Sequence, residues 1–365
     1  MWITASGIVD VAPRARDPDP RPSLVYVTTS GLGDLIVALP LLVRLREHYR
    51  AVPIIQRRHA EFARLLQRDG LLEDPLPMVS GLRLRSDPAG TVDVIRHVNR
   101  IRPEVTLIYG KPVLVLAAIV GLLRSESVIH ASPARGPARL ATRFDWRLGR
   151  FSHVASSGNR ACDQSRFAGE LGHGEHHGRW NLSRQSRDRL FGSVASRLPG
   201  EGYVVVAPWA GDPRRSAPLH IFKSCIEVIV GDAGLPVVIT GTAEHKPQVA
   251  ELIDGVPGSL ARDLVGETDI PELLGILHGA KFLLANDSGS MHMATLVDLP
   301  SVIVFGPTTP DMILPTDRRA TITSIQLDAK FRRAKPHRVD RIDRAPRRGD
   351  GIHPHVREVL LNACR

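Results

Sequence analysis

Residues 279–310 read GAKFLLANDSGSMHMATLVDLPSVIVFGPTTP. KFLLAND has the run of apolar residues expected of a buried strand, and GSMHMATLVDL places its apolar residues at helical spacing. PSVIVFGPT returns as a second buried strand. This is strand–helix–strand, with small residues where the first strand gives way to the helix. The same grammar runs upstream. YVVVAP (203–208) and PVVITG (236–241) predict strands. HIFKSCIEVIVGDAG (220–234), EHKPQVAELIDGV and IPELLGILHGA predict helices.

The first half repeats the pattern. SLVYVTT (23–29) predicts a strand, Ser30-Gly-Leu-Gly-Asp34 a turn and LIVALPLLVRLREHY a helix, with further strands at VPIIQ (52–56) and VTLIYG (105–110). Such alternation predicts an α/β fold of two Rossmann-like, doubly wound domains with a cleft between them. The expected boundaries are a flexible extension at 1–21, a first domain at 22–200 and a second at 201–330. A basic tail with a terminal helix fills 331–365. Residues 155–200, rich in Gly, His and Arg, read as a linker closing the first domain.

Composition narrows the class. With 365 residues, 43% hydrophobic and 24% charged, the chain suits two globular domains rather than a fibre or a long disordered region. The apolar run at 112–123 is shorter than the roughly 20 residues of a membrane-spanning helix. No basic–apolar–cleavage pattern opens the chain. Cys162, Cys225 and Cys364 lack the spacing of a disulfide framework or a zinc cluster. The expectation is a soluble protein of a reducing compartment. Residues 22–200 carry 26 Lys and Arg against 15 Asp and Glu, whereas 201–330 carry 9 against 16. A basic half opposite an acidic half suits an anionic partner of the first half; arginine-rich codon usage explains the same excess. The tail has few aromatics and no accompanying nucleic-acid motif, so no nucleic-acid partner is expected.

Four constellations carry chemistry. Gly31 and Gly33 lie in the first strand-to-helix turn, and Asp34 follows them. Asp34 reads either as a helix cap or as a carboxylate that takes a proton from a substrate hydroxyl. Ile36 and Gln56 stand where a dinucleotide fingerprint needs its third glycine and its acidic residue, which counts against a nicotinamide enzyme. Asp287, Ser288, Gly289, Ser290 and His292 open the helix of the deciding stretch. There the backbone N–H groups of residues 288–290 suit a diphosphate, and Asp287 suits a sugar hydroxyl; a capped core helix with a satisfied histidine is the plain alternative. Arg215 lies beyond the strand at 203–208 and offers a fork to phosphate; Glu244 lies beyond the strand at 236–241 and suits ribose or sugar hydroxyls. His173, His176 and His177 have metal-ligand spacing but no fixed partner, so no metal is assigned.

In this order the motifs resemble glycosyltransferase family nine, the lipopolysaccharide heptosyltransferases and their relatives, over roughly residues 23–315. The most specific part is the D-(S/T)-G loop, the following His and the closing FGPT of 279–310. The resemblance implies a GT-B fold whose second domain binds a nucleotide-diphosphate sugar, with ADP-heptose as the family expectation, and whose first domain binds the acceptor. It implies inverting, metal-independent transfer without a cofactor, and a cytoplasmic place with peripheral contact at the inner-membrane surface. The acceptor would be a lipopolysaccharide-core glycan, another glycolipid or a small-molecule glycoside. Asp34 matches the family's base, Arg215 its diphosphate-binding Lys and Glu244 its donor-binding Glu. Asp287, Ser288, Gly289, Ser290 and His292 match its donor and phosphate loop. Three departures stand out. The family's K-x-W-P is Arg215-Ser-Ala217-Pro218 here, Ala210-Gly211 replaces a small polar pair, and the Cys-rich C-terminal element is absent. The rival reading is a degenerate relative that binds a nucleotide-sugar or glycan without transferring it.

Overall fold

The computed structural model describes residues 19–27, 31–74, 76–80, 88–110, 121–131, 146–174, 181–200, 202–313, 322–326 and 354–365, together with Leu114 and Ala117. The extension at 1–18, His176, His177 and the tail at 331–353 lie outside the described residues.

Strand β1 (Ser23–Val27) is followed by helix α1 (Leu32–Leu45), which buries Leu35, Ile36, Leu39, Leu42 and Leu45. β2 (Arg50–Pro53) then pairs in parallel with β1. The expected strand at 52–56 is split in two. Pro53 has no N–H to continue a ladder, and beyond Ile54 the chain leaves β1; β3 (Ile55–Gln56) pairs instead with β4 (Met78–Val79). Helices α2 (Ala60–Arg68) and α3 (Pro88–Ile101) flank that ribbon. β5 (Val105–Tyr109), β6 (Ser127–Ala131), β7 (Trp146–Leu148) and β8 (Phe151–Val154) complete a sheet of order β2-β1-β5-β6-β8-β7. Only β7 runs antiparallel.

The stretch expected as a linker is largely helical. α4 (Arg160–Glu170) is capped by Asn159, whose Oδ1 accepts from the N–H groups of Ala161 and Cys162. α5 (Arg184–Val194) is capped by Ser183. Arginines and glycines that suggested a loop lie within these helices at exposed or half-buried positions, leaving Phe167, Ala168, Leu190 and Val194 buried.

The second sheet contains β9 (Val204–Ala207), β10 (Val237–Ile239), β11 (Ala261–Asp263), β12 (Phe282–Asn286), β13 (Ser301–Phe305) and β14 (Ile322–Gln326), in the order β11-β10-β9-β12-β13-β14, all parallel. Its helices are α6 (Leu219–Gly231), the short α7 (Val249–Ile253), α8 (Ile270–His278), α9 (Gly289–Leu296), the short α10 (Pro310–Ile313) and the terminal α11 (Pro354–Cys364). Buried strands of VVVA and FLLA type take helices on both faces, as parallel sheets require.

Packing joins the halves. One apolar cluster runs from Leu24, Leu107 and Leu39 in the first half to Val205, Leu283 and Ile303 in the second. α5 lies against α8, where Gly275 lets the helices meet: a Cβ there would collide with the Leu190 carbonyl. Ser183 donates its N–H and hydroxyl to Asp69 at 2.8 and 2.6 Å, and Asn159 Nδ2 donates to the Asp311 carbonyl at 2.8 Å. Among the described residues no helix is long and apolar enough to cross a membrane.

Candidate active site

The first wall of the cleft is the start of α1. Asp34 is the third residue of that helix rather than its cap; Gly31 holds the cap position. The Asp34 Oδ2 accepts the Gly31 N–H at 3.2 Å, and its Oδ1 lies 3.0 Å from Nη1 of Arg160, the first residue of α4. The carboxylate is nearly enclosed, with 10% of its side chain exposed, whereas Arg160 retains 31%. A carboxylate at a helix N-terminus is stabilised by the helix field, so Asp34 steadies this turn.

The opposite wall is the loop between β12 and α9. Asn286 is fully buried and ties this loop to the segment after β9: its Oδ1 accepts the Ala217 N–H at 3.0 Å and its Nδ2 donates to the Pro208 carbonyl. Asp287, 1% exposed, receives the Thr308 hydroxyl at 2.7 Å and Arg215 Nη1 at 3.4 Å on the same oxygen, Oδ2. Its Oδ1 and the Ser288 Oγ are buried without a hydrogen-bond partner among the described residues. Native interiors rarely leave such groups unpaired, so a carboxylate oxygen and a hydroxyl remain here to meet a polar partner. Ser288 occupies the cap position of α9 without using its side chain to cap it. Gly289 and Ser290, both half-buried, begin that helix, and a Cβ on Gly289 would meet open space.

His292 closes the distance between the walls. Its ring packs on Gly33 so closely that a Cβ at Gly33 would fall 2.9 Å from Nε2 and closer still to the ring carbon beside it. Glycine at 33 is therefore required by contact with the other half, not by its backbone angles. Burial holds the imidazole below its ordinary pKa, against the upward pull of Asp287 and Asp34. A neutral ring can donate one hydrogen bond and accept another at neutral pH.

Of the two candidate arginines, Arg214 turns outward to Asp212, with Nη2 2.5 Å from Oδ2, and Arg215 turns inward to Asp287. Glu244 stands apart. Its side chain is 77% exposed; it accepts the Thr242 hydroxyl at 2.9 Å and touches His245, without reaching the Asp287 group. His173 stacks on His48, centroids 4.0 Å apart, and among the described residues no group of three metal-ligating side chains forms.

Three participants escaped the reading of the sequence: Arg160, Asn286 and Thr308. Asn286 and Thr308 bracket the motif and their types fit the hydrogen bonds they make. Arg160 gave no signal, being one arginine of many in a stretch taken for a linker.

Residues 164–342 match the family model of glycosyltransferase family 9 (heptosyltransferase). Among curated proteins, the chain is 26% identical to lipopolysaccharide heptosyltransferase 2 of Salmonella typhimurium over 133 residues, 36% of this chain and 37% of that protein. It is 28% identical to lipooligosaccharide heptosyltransferase 2 of Haemophilus influenzae over 113 residues, 30% and 32% of the two chains. The matched stretches thus span only about a third of these relatives. Solved structures match more widely. The glycosyl transferase family 9 protein of Veillonella parvula superposes with a TM-score of 0.63 at 16% identity, covering 84% of this chain and 86% of that one. E. coli heptosyltransferase WaaC, solved with ADP, gives 0.60 at 16% identity over 85% and 93%. At these identities the likeness establishes the fold, which is GT-B.

Proposed function

The chain belongs to glycosyltransferase family 9, and from that premise we propose that it moves a sugar from a nucleotide-diphosphate donor to an acceptor hydroxyl. The donor proposed is ADP-heptose and the acceptor a lipopolysaccharide-core or related glycoside. The reaction inverts the anomeric centre without a metal, at the cytoplasmic side of the membrane. One observation carries the reading: His292 packed on Gly33 brings a nearly enclosed carboxylate, Asp34, together with a loop whose Asp287 Oδ1 and Ser288 Oγ lack partners among the described residues.

The chemistry follows from the groups present. Asp34 accepts the proton of the acceptor hydroxyl as its oxygen bonds to the anomeric carbon. The bond from that carbon to the diphosphate breaks, and the electron pair leaves with the nucleotide. The start of α9 and Arg215 are the positive groups placed to meet the charge that develops there. Asp287 Oδ1 and Ser288 Oγ, which lack partners among the described residues, suit hydroxyls of the donor sugar. A single base suffices, unlike the two carboxylates of a glycosidase.

A screen of nucleotide-sugars with glycoside acceptors tests the reading. The expected result is acceptor-dependent release of ADP from ADP-heptose. Nucleotide binding with no donor consumed under any acceptor would support the degenerate, binding-only alternative instead.

A further inference from the structure

The Asp34–Arg160 pair poses a chemical problem. Both oxygens of the base are engaged, Oδ1 by the Arg160 guanidinium at 3.0 Å and Oδ2 by the Gly31 N–H at 3.2 Å. The guanidinium covers one edge of the carboxylate. A base held this way is poorly placed to receive a substrate hydroxyl. Arg160 itself is under-used: among the described residues it has no hydrogen-bond partner besides Asp34, although the group offers five N–H donors. Its side chain is three times as exposed as that of Asp34, 31% against 10%, so part of the guanidinium is open to a ligand. Its backbone is firmly placed, since Asn159 caps α4 immediately before it and also bonds Asp311 of the second half.

We propose that Arg160 locks Asp34 while the acceptor site is empty, and that an anionic group on the acceptor draws the guanidinium to itself and releases the base. The proposal rests on the transferase reading above. The ligand chemistry it assigns is a carboxylate or phosphate close to the reacting hydroxyl, which suits a planar fork of donors. The lock answers a hazard of this reaction. A donor bound without its acceptor is open to attack by water: water oxygen bonds to the anomeric carbon, the bond to the diphosphate breaks, the electron pair leaves with the nucleotide, and the proton goes to Asp34. A base tied to Arg160 does not drive that step until the anion arrives. Arg160 is then a positioning residue that makes the acceptor's charge a condition of turnover.

The test is ADP release from ADP-heptose without acceptor, in the wild type, Arg160→Met and Arg160→Lys, with melting temperatures as the control for folding. Untying the base should raise release about tenfold in Arg160→Met. Arg160→Lys, which keeps a cation but loses the fork, should fall between the two. Millimolar acetate, compared with chloride at equal ionic strength, should stimulate the wild type and leave Arg160→Met unchanged. An arginine that merely steadies Asp34 gives the reverse, with release slower in Arg160→Met, and that result overturns the lock while leaving the transferase reading intact. No release from any form, with or without an acceptor, overturns both.

Discussion

In the second half of the molecule the residues that build the site lie mostly within one stretch. Asn286, Asp287, Ser288, His292 and Thr308 span β12, α9 and the end of β13, and Pro208, Arg215 and Ala217 come from the segment after β9. In the first half the decisive contact joins residues 126 positions apart, Asp34 on α1 and Arg160 on α4. The second half therefore carries its site as a motif, whereas the first assembles its site only by folding. The family model covers 164–342, which contains Arg215 and the stretch from Asn286 to Thr308 but neither Asp34 nor Arg160. The family match thus falls on the wall of the second half, and both members of the Asp34–Arg160 pair lie outside it.

If the division is correct, substitutions should separate by wall. The largest effect belongs to the base. Asp34→Asn should lose a factor of about 10² to 10⁴ in turnover with donor affinity unchanged, measured by steady-state kinetics and nucleotide titration. Near-normal turnover would return Asp34 to a purely structural place in the turn.

Acid should act on the first half before the second. His130 on β6 and His153 on β8 meet at 3.1 Å between their Nδ1 atoms, and burial, then the neighbouring His153, push His130 down to about 4. An unfolded histidine takes its proton near 6.5, so unfolding binds a proton between about pH 6.5 and 4. Stability should fall as pH drops through that window and level off below it, by on the order of 3 kcal/mol. His130→Phe should flatten this part of the denaturation profile. Hydrogen exchange at mildly acid pH should show β6 and β8 opening before β12 and β13.

On the donor wall, Arg215→Ala should weaken nucleotide-diphosphate binding about 10- to 100-fold, the range expected for losing a charged hydrogen bond, while Arg215→Lys retains most of it. Arg214→Ala should have little effect because that side chain is tied to Asp212. Calorimetry decides. The reverse pattern would exchange the two arginines without disturbing the wall.

The smallest effect concerns charge. The first half carries a net excess of 11 basic residues and the second a net excess of 7 acidic ones. If the basic excess serves the acceptor, added salt should raise the acceptor KM more than it weakens donor binding, since exposed charges are screened over about 10 Å at 0.1 M salt. Equal sensitivity would assign the arginines to composition alone.

The same contrast explains what could be read beforehand. β1, β5, β9, β12 and β13 were legible because strands buried on both faces are continuous apolar runs. Helices α1, α6, α8 and α9 showed their buried stripes. β7, β11 and the ribbon strand β4 escaped, being two or three residues long and carried by pairing rather than by pattern. α5 escaped because its mean hydropathy is low: it buries Leu190 and Val194 among arginines and serines. At the site, Asp34, Arg215 and the 287–292 loop were visible as motif positions. Arg160 was not, because its meaning lies wholly in a partner that only the fold supplies.

The division between the walls is tested most directly by titrating ADP into the wild type and into Asp34→Asn. The account predicts that ADP binds both with the same affinity, because the donor wall is complete without the base, while only the wild type turns over ADP-heptose. ADP binding lost in Asp34→Asn, or absent from the wild type, would contradict it.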